Sequence, residues 1–376
     1  MKRLVLLGGG HAHVHVLKAF ADHHIRDTRI TLVSPFERQV YSGMLPGWIA
    51  RRYKLEQCII PLAPLAERAE AGFLQTAATG LDLNAKRVQL ASGESIGFDV
   101  LSIDTGPVQN SAIPGTEHAL AVRPIESFIR AIEGIERRIF DNASAGRTTR
   151  IVFCGAGAAG IELALALESR FRASKTEFTL ISLANTLPGS VGPRLARHLH
   201  ARNVRLLTGR AATRIEPTRV ILDDGNAVDA DLTIASTGSA AATWPAKAGL
   251  ACDAGGFIRV NTFLQSVSHP FVFAAGDCAT MDDHPRPKSG VYAVRAGPPL
   301  ATNLRKILFD NPMKAYTPQK NSLYLISTGG NRAIGSWGSL DWEGDWVWWW
   351  KDRIDRAFMR KYAGTGSQVH LQIDKN

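Results

Sequence analysis

Short apolar runs punctuate this chain, and several are unbroken rather than alternating. Leu4–Leu7 (LVLL) and Ile151–Cys154 (IVFC) each lead into glycines and then a mostly apolar stretch, Val14–Phe20 and Ile161–Leu167. An unbroken apolar run predicts a strand covered on both faces, as in a parallel sheet whose crossovers are helices. Residues 127–142 carry a different period: Phe128, Ile132, Ile135 and Ile139 fall on one face of a predicted helix. Two stretches alternate around turns and predict antiparallel hairpins. These are Arg87–Leu90 with Ser95–Val100, and Arg219–Leu222 with Ala227–Asp231.

The strand–glycine–helix sentence occurs twice. The first copy reads Gly8-Gly9-Gly10-His11-Ala12-His13, the second Gly155-Ala156-Gly157-Ala158-Ala159-Gly160. The spacing from each first glycine to the end of the next apolar strand, at Ser34 and Ser182, differs by one residue. Farther on, Asp99–Gly106 (DVLSIDTG) matches Asp231–Gly238 (DLTIASTG). Glycines at these positions let the backbone turn tightly and approach a pyrophosphate, whose charge sits against helix N–H groups. Two copies with matching landmarks predict two Rossmann-like dinucleotide-binding domains, an α/β fold.

Composition narrows the class without naming a reaction. The 376 residues are 45% apolar and 21% charged, those of a globular protein with room for two or three domains. Cys58, Cys154, Cys252 and Cys278 lie far apart in sequence, which is neither a disulfide framework nor a zinc site. His11, His13 and His15 recur every second residue, cannot share one helical face, and are not read as a metal site. No apolar stretch reaches the roughly 18–20 residues of a membrane span. Met1 leads directly into a nucleotide-binding strand, so the expectation is a cytoplasmic protein. The net charge of +10 comes without a nucleic-acid motif and is read as solubility and steering of dinucleotides.

A third segment belongs to neither repeat. His269–Cys278 (HPFVFAAGDC) is an apolar strand delivering Gly276-Asp277 at its C-terminal end, where open α/β sheets bind ligands. With the two glycine motifs it resembles the two-dinucleotide-domain flavoproteins of the pyridine nucleotide–disulfide oxidoreductase family. Tyr41-Ser42-Gly43-Met44-Leu45-Pro46 adds a narrower likeness to type II NADH:quinone dehydrogenases. The same likeness extends to the flavoprotein domain found fused to selenide, water dikinase. The resemblance implies a discontinuous FAD domain, residues 1–115 and 255–310, with an NAD(P) domain inserted at 116–254. A C-terminal region follows at 311–376.

It also implies where the ligands sit. FAD is expected on Gly8, Gly10, His11, Ser34, Pro35, Ser42, Gly106, Gly276, Asp277 and Gly290, and NADH or NADPH on Gly155, Gly157, Gly160 and Glu162. Ser34 and Ser182 stand where an acid would accept from ribose hydroxyls, so the ribose clamp is expected to be weaker and the donor is left open. Tyr41 and Lys288 are the candidates beside the flavin; no dedicated catalytic residue or metal is assigned. The missing closely spaced cysteine pair speaks against dithiol chemistry.

The expected function is therefore an FAD-dependent oxidoreductase that takes a hydride from NAD(P)H onto flavin N5. It would pass electrons to a small acceptor, by resemblance a quinone. The alternatives are a flavoprotein of selenium or sulfur metabolism with a non-nicotinamide donor, or a dinucleotide-binding redox partner protein. Trp342, Trp346, Trp348, Trp349 and Trp350 crowd the tail. On a helix, Trp346, Trp350, Ile354, Ala357 and Phe358 form a stripe suited to peripheral membrane contact, to packing on the body, or to a homodimer interface.

Overall fold

The computed structural model describes residues 1–187 and 189–363. In chain order, the first unit contains β1 (Lys2–Leu7), α1 (His11–Asp22), β2 (Thr28–Val33), β3 (Ala71–Leu74) and β4 (Val100–Ile103). The second contains β5 (Ala119–Ala121), α2 (Ile125–Ser144), β6 (Thr149–Cys154), α3 (Ala158–Phe171), β7 (Thr176–Ser182), β8 (Val204–Thr208) and β9 (Leu232–Ala235). Then come β10 (Val272–Ala274), α4 (Gly290–Leu308), β11 (Leu323–Ser327), β12 (Ala333–Trp337), β13 (Leu340–Gly344) and α5 (Asp345–Ala363).

Both large sheets are parallel and five-stranded. The first runs β10-β4-β1-β2-β3, so a strand from after the second unit returns to the first sheet. The second runs β5-β9-β6-β7-β8. Val100–Ile103 and Ile151–Cys154 are buried throughout, which is why neither run alternates. Each first strand ends at its glycines, and the helices start from Gly10 and Gly157, which have no side chain to cap them. Both predicted hairpins form over shorter spans, Arg87–Leu90 with Ser95–Gly97 and Arg219–Leu222 with Ala227–Asp229, while Val100 belongs to β4; third strands at Ala78–Asp82 and Ala212–Glu216 join them. The amphipathic helix buries Phe128, Ile132, Ile135 and Ile139. On α4, Gly297 lets α1 approach closely, because a Cβ there would lie 2.6 Å from that of His15.

The C-terminal region departs from the expected stripe. Strands β11–β13 form an antiparallel sheet, and α5 turns Val347, Lys351, Asp355, Met359 and Tyr362 inward. Met359 and Tyr362 join the first unit's core. Trp346 (56%), Trp349 (60%) and Ile354 (38%) are exposed, whereas Phe358 stacks on Tyr41 at 4.2 Å. The reason is local chemistry: Lys351 and Asp355 find buried polar partners, so the face that looks polar in sequence is the one that packs. Trp342, Trp346 and Trp350 pack as a cluster, each pair of ring centroids 6.2–6.5 Å apart. Among the described residues, no helix is long and apolar enough to cross a membrane.

Candidate functional site

A cleft of about 1350 Å³, its open mouth included, lies at the C-terminal ends of the first sheet's strands. Gly8, Gly10, His11, Ser34, Pro35, Ser42, Gly106, Asp277 and Gly290 all line it. Gly8 takes φ +96°, and a Cβ there would fall on the Asp104 carbonyl. Gly276 is the exception among the predicted FAD residues: it lies behind the wall, packed against the Asp104 carboxylate, and borders a second cavity. Asp277 itself faces the first cavity and accepts from the Ser289 N–H.

The three histidines have separate tasks. His13 is fully buried; its Nδ1–H donates to the Gly8 carbonyl at 2.6 Å, and Nε2 accepts from the Ser102 hydroxyl at 2.8 Å. Burial pushes its imidazole down to about 4, so it stays neutral. This explains the replacement of the third glycine: the ring fills the gap between helix and strand with two hydrogen bonds. His15 Nδ1 meets the Tyr362 hydroxyl at 2.9 Å, tying α1 to α5. His11 lines the cavity, and its Nε2 is shut off from solvent with no partner among the described residues.

Asp104 is a site residue that the glycine motifs do not mark, although the repeat places it opposite Ser236 of the second copy. Its Oδ2 accepts from the N–H groups of Ala12 (2.8 Å) and His13 (3.0 Å), two of the unpaired donors at the start of α1. Burial raises its carboxyl to about 7, against those two hydrogen bonds. Ser236 instead donates to the carbonyls of Cys154 and Gly155. The first helix thus carries an internal anion at its N-terminus and the second does not. Ser34 is buried with its hydroxyl folded onto Phe36, donating to that carbonyl at 3.0 Å. Arg38, Arg123 and Glu126 also line the cavity, and nothing in the glycine motifs points to them.

The second motif is built similarly. Gly155 has φ +112°, and Gly160 lies against the Gly155 carbonyl and Ser236, where a side chain has no room. Gly157 faces open space. Glu162 points away from the glycine turn: its Oε1 accepts from the Ser327 N–H at 2.7 Å. Burial pushes its carboxyl up to about 7, opposed by the nearby Lys351 charge.

Lys351 and Asp355 complete this polar cluster. The Lys351 ammonium donates to Asp355 Oδ2 (2.8 Å) and to the Gly43 carbonyl (2.7 Å). The Tyr41 hydroxyl donates to Asp355 Oδ1 at 3.1 Å. Tyr41 therefore sits behind the Ser42 wall rather than on it, and burial with the Asp355 charge raises its phenol well above its ordinary value. Lys288 is not on the first cavity; it lines the second, donates to the Ala279 carbonyl and stands 4.0 Å over the Phe257 ring. The four cysteines are all free, and burial raises the Cys58, Cys154 and Cys278 thiols to about 12.

The family follows from this geometry. The model of the pyridine nucleotide-disulphide oxidoreductases matches residues 2–297, and the chain belongs to that family. It is an FAD-dependent NAD(P)H oxidoreductase. Ferroptosis suppressor protein 1 of Xenopus tropicalis is 26% identical over 89% of this chain and 88% of its own length. An NADH dehydrogenase-like protein of Mycobacterium tuberculosis is 26% identical over 69% of each chain. Among solved structures, the sulfide:quinone oxidoreductase of Aquifex aeolicus has the same fold. Its TM-score is 0.80 at 21% identity, over 96% of this chain and 92% of that one.

The residues fit FAD. Glycines without room for a Cβ line one cleft together with Ser34, Arg123 and Asp277.

Proposed function

We propose that this chain oxidises NAD(P)H and reduces a quinone, without a redox-active disulfide. FAD, when bound, supplies the ability to accept a hydride and return electrons to a second substrate; the chain supplies position, dryness and protons. Reducing a quinone to a quinol consumes protons, and the observation that supports this acceptor is the buried cluster of Glu162, Lys351, Asp355 and Tyr41. Its carboxyl near neutrality, beside an ammonium, is suited to holding and passing a proton at working pH. The cluster joins the Tyr41–Gly43 loop, the helix after the second glycine motif and α5. The Aquifex relative's name includes a quinone and the Mycobacterium relative's includes NADH, in keeping with both halves.

Sulfide chemistry is disfavoured, because thiols held near 12 are protonated and weak nucleophiles at neutral pH. Trp337 and Leu340 are exposed on the C-terminal sheet and Trp346, Trp349 and Ile354 on α5, with Arg353, Arg360 and Lys361 exposed on the same helix. Such a surface suits peripheral contact with an anionic membrane, where apolar quinones dissolve. The test is NAD(P)H consumption under nitrogen with and without a quinone. Consumption that requires the quinone is expected; equal rates without it would contradict the acceptor.

A further inference from the structure

The segment His284-Pro285-Arg286-Pro287-Lys288 leads into α4, and neither glycine motif accounts for it. Each proline fixes its own backbone angle and holds the residue before it extended. In extended chain, every second side chain shares a side. His284, Arg286 and Lys288 accordingly all line the second cavity, whose lining shares Asp277 alone with the FAD cleft.

The two cations gather there without a counter-charge. Arg286 Nη1 donates to the Pro285 carbonyl (3.1 Å) and Nη2 to the Pro318 carbonyl (3.3 Å). Its Nε–H is shut off from solvent with no partner among the described residues. The Lys288 ammonium donates to the Ala279 carbonyl at 2.5 Å, and neither cation is in an ion pair among the described residues. Asp282, on the same loop, is paired with Arg259 at 2.6 Å, and Asp277 accepts from the Ser289 N–H. Burial holds the Lys288 ammonium below its ordinary value, against the charge of Asp253. A cation withdrawn from water is costly unless paired, and two on one cavity wall also repel.

We propose that the second cavity binds a small oxyanion, held by Arg286 and Lys288, with His284, Tyr292 and Tyr316 as further donors. The chemistry matches: neither cation can accept a hydrogen bond, and each keeps N–H groups unused by the chain. A planar guanidinium takes two oxygens in a fork, while an ammonium acts as a point charge. The bound anion supplies the counter-charge that the chain lacks. Apolar Val260 and Leu264 also line the cavity, leaving the charged loop to supply the anion's partners.

The test is calorimetric titration of the yellow holoprotein with inorganic phosphate at constant ionic strength. Excess NAD⁺ keeps the second glycine motif filled, so that motif contributes no phosphate binding. One site with a dissociation constant of about 1 mM or tighter is expected. Arg286→Met and Lys288→Met should each weaken it by about tenfold or more, the range for a lost hydrogen bond to a charged group. Arg286→Lys, which keeps the charge but not the fork, should fall between. Phenyl phosphate separates two sources of the same group: tighter binding than phosphate assigns an organic phosphate, and equal or weaker binding assigns the free oxyanion. Absence of saturable binding by either probe overturns the proposal, as does binding that both methionine variants leave within about twofold of the parent. If a methionine variant loses its FAD, Arg286→Lys decides, and an affinity within about twofold of the parent overturns the proposal.

Discussion

The Lys351 ammonium lies 2.8 Å from the Asp355 carboxylate, one turn apart on α5, with both side chains at least nine-tenths buried. An ion pair is expensive to bury, and breaking one by removing a partner costs about 3–5 kcal/mol. This pair is therefore held by its surroundings: the Gly43 carbonyl takes a second ammonium N–H and the Tyr41 hydroxyl satisfies the other carboxylate oxygen. It anchors the tryptophan-rich helix beside the loop that carries Ser42 to the FAD cavity.

Replacing Lys351 by Met should leave Asp355 uncompensated and lower unfolding stability by about 3–5 kcal/mol, measured by urea denaturation. The double change Lys351→Met with Asp355→Leu should recover most of that stability. It should not recover quinone reduction, expected to fall by at least about tenfold while reduction of the flavin by NAD(P)H persists. Quinone turnover rising with stability would show the pair to be a structural anchor only.

Glu162 sets a pH dependence. Its carboxyl is pushed up to about 7, chiefly by burial, from an ordinary value near 4.5. An acid that ionises less readily folded than unfolded withdraws stability as pH rises above the ordinary value, and the loss levels off near the folded value. Glu162→Gln should thus match the parent near pH 4 and exceed it near pH 8, by roughly 1–3 kcal/mol. Guanidinium midpoints at both pH values measure this; an equal difference at both would rule out the carboxyl as its source.

Restoring a third glycine should harm rather than help. His13→Gly removes the imidazole that bridges Gly8 and Ser102 and leaves a buried void beside β1. A loss of about 2–4 kcal/mol is expected, with weaker retention of FAD. Thermal unfolding with and without added FAD reads both.

The parts of this protein legible in its sequence are those fixed by short-range pattern. Gly8, Gly10, Gly155 and Gly160 are specified by backbone approach, so spacing alone marks them. Unbroken apolar runs mark the parallel strands. The charged residues of the site are another matter. Glu126 and Arg123 reach the cavity only because α2 packs where it does, and Lys351 and Asp355 read as solvated until their partners, Gly43 and Tyr41, are seen across more than 300 residues of chain. Asp104 lies between these cases. Aligning it with Ser236 shows a charge entering an apolar strand end, but its hydrogen bonds to Ala12 and His13 need the fold.

The donor nucleotide should be accepted with little preference. Ser182 ends β7 with its hydroxyl donating to the Ala184 carbonyl at 3.1 Å, so no carboxylate there repels a 2′-phosphate. The Arg210 backbone N–H donates to the Ser182 carbonyl, and its guanidinium pairs with Asp224 at 3.1 Å. The ratio kcat/KM for NADPH over NADH should lie within about tenfold of unity, and Ser182→Glu should shift it toward NADH by about tenfold or more. A parent enzyme already strongly selective for NADH would contradict this.

The exposed tryptophans predict membrane attachment. Anionic vesicles at low salt should carry the protein down on sedimentation, and Trp346→Ser with Trp349→Ser should release it while the protein stays folded by circular dichroism. A parent protein that stays in the supernatant would argue against attachment through this patch.

The most direct measurement is anaerobic double mixing of the yellow protein, first with NADH or NADPH and then with a quinone, followed at the oxidised-flavin band. The band should disappear on the first mixing and return on the second. Flavin that stays oxidised with both nucleotides, in protein that contains FAD, would contradict the proposed reaction.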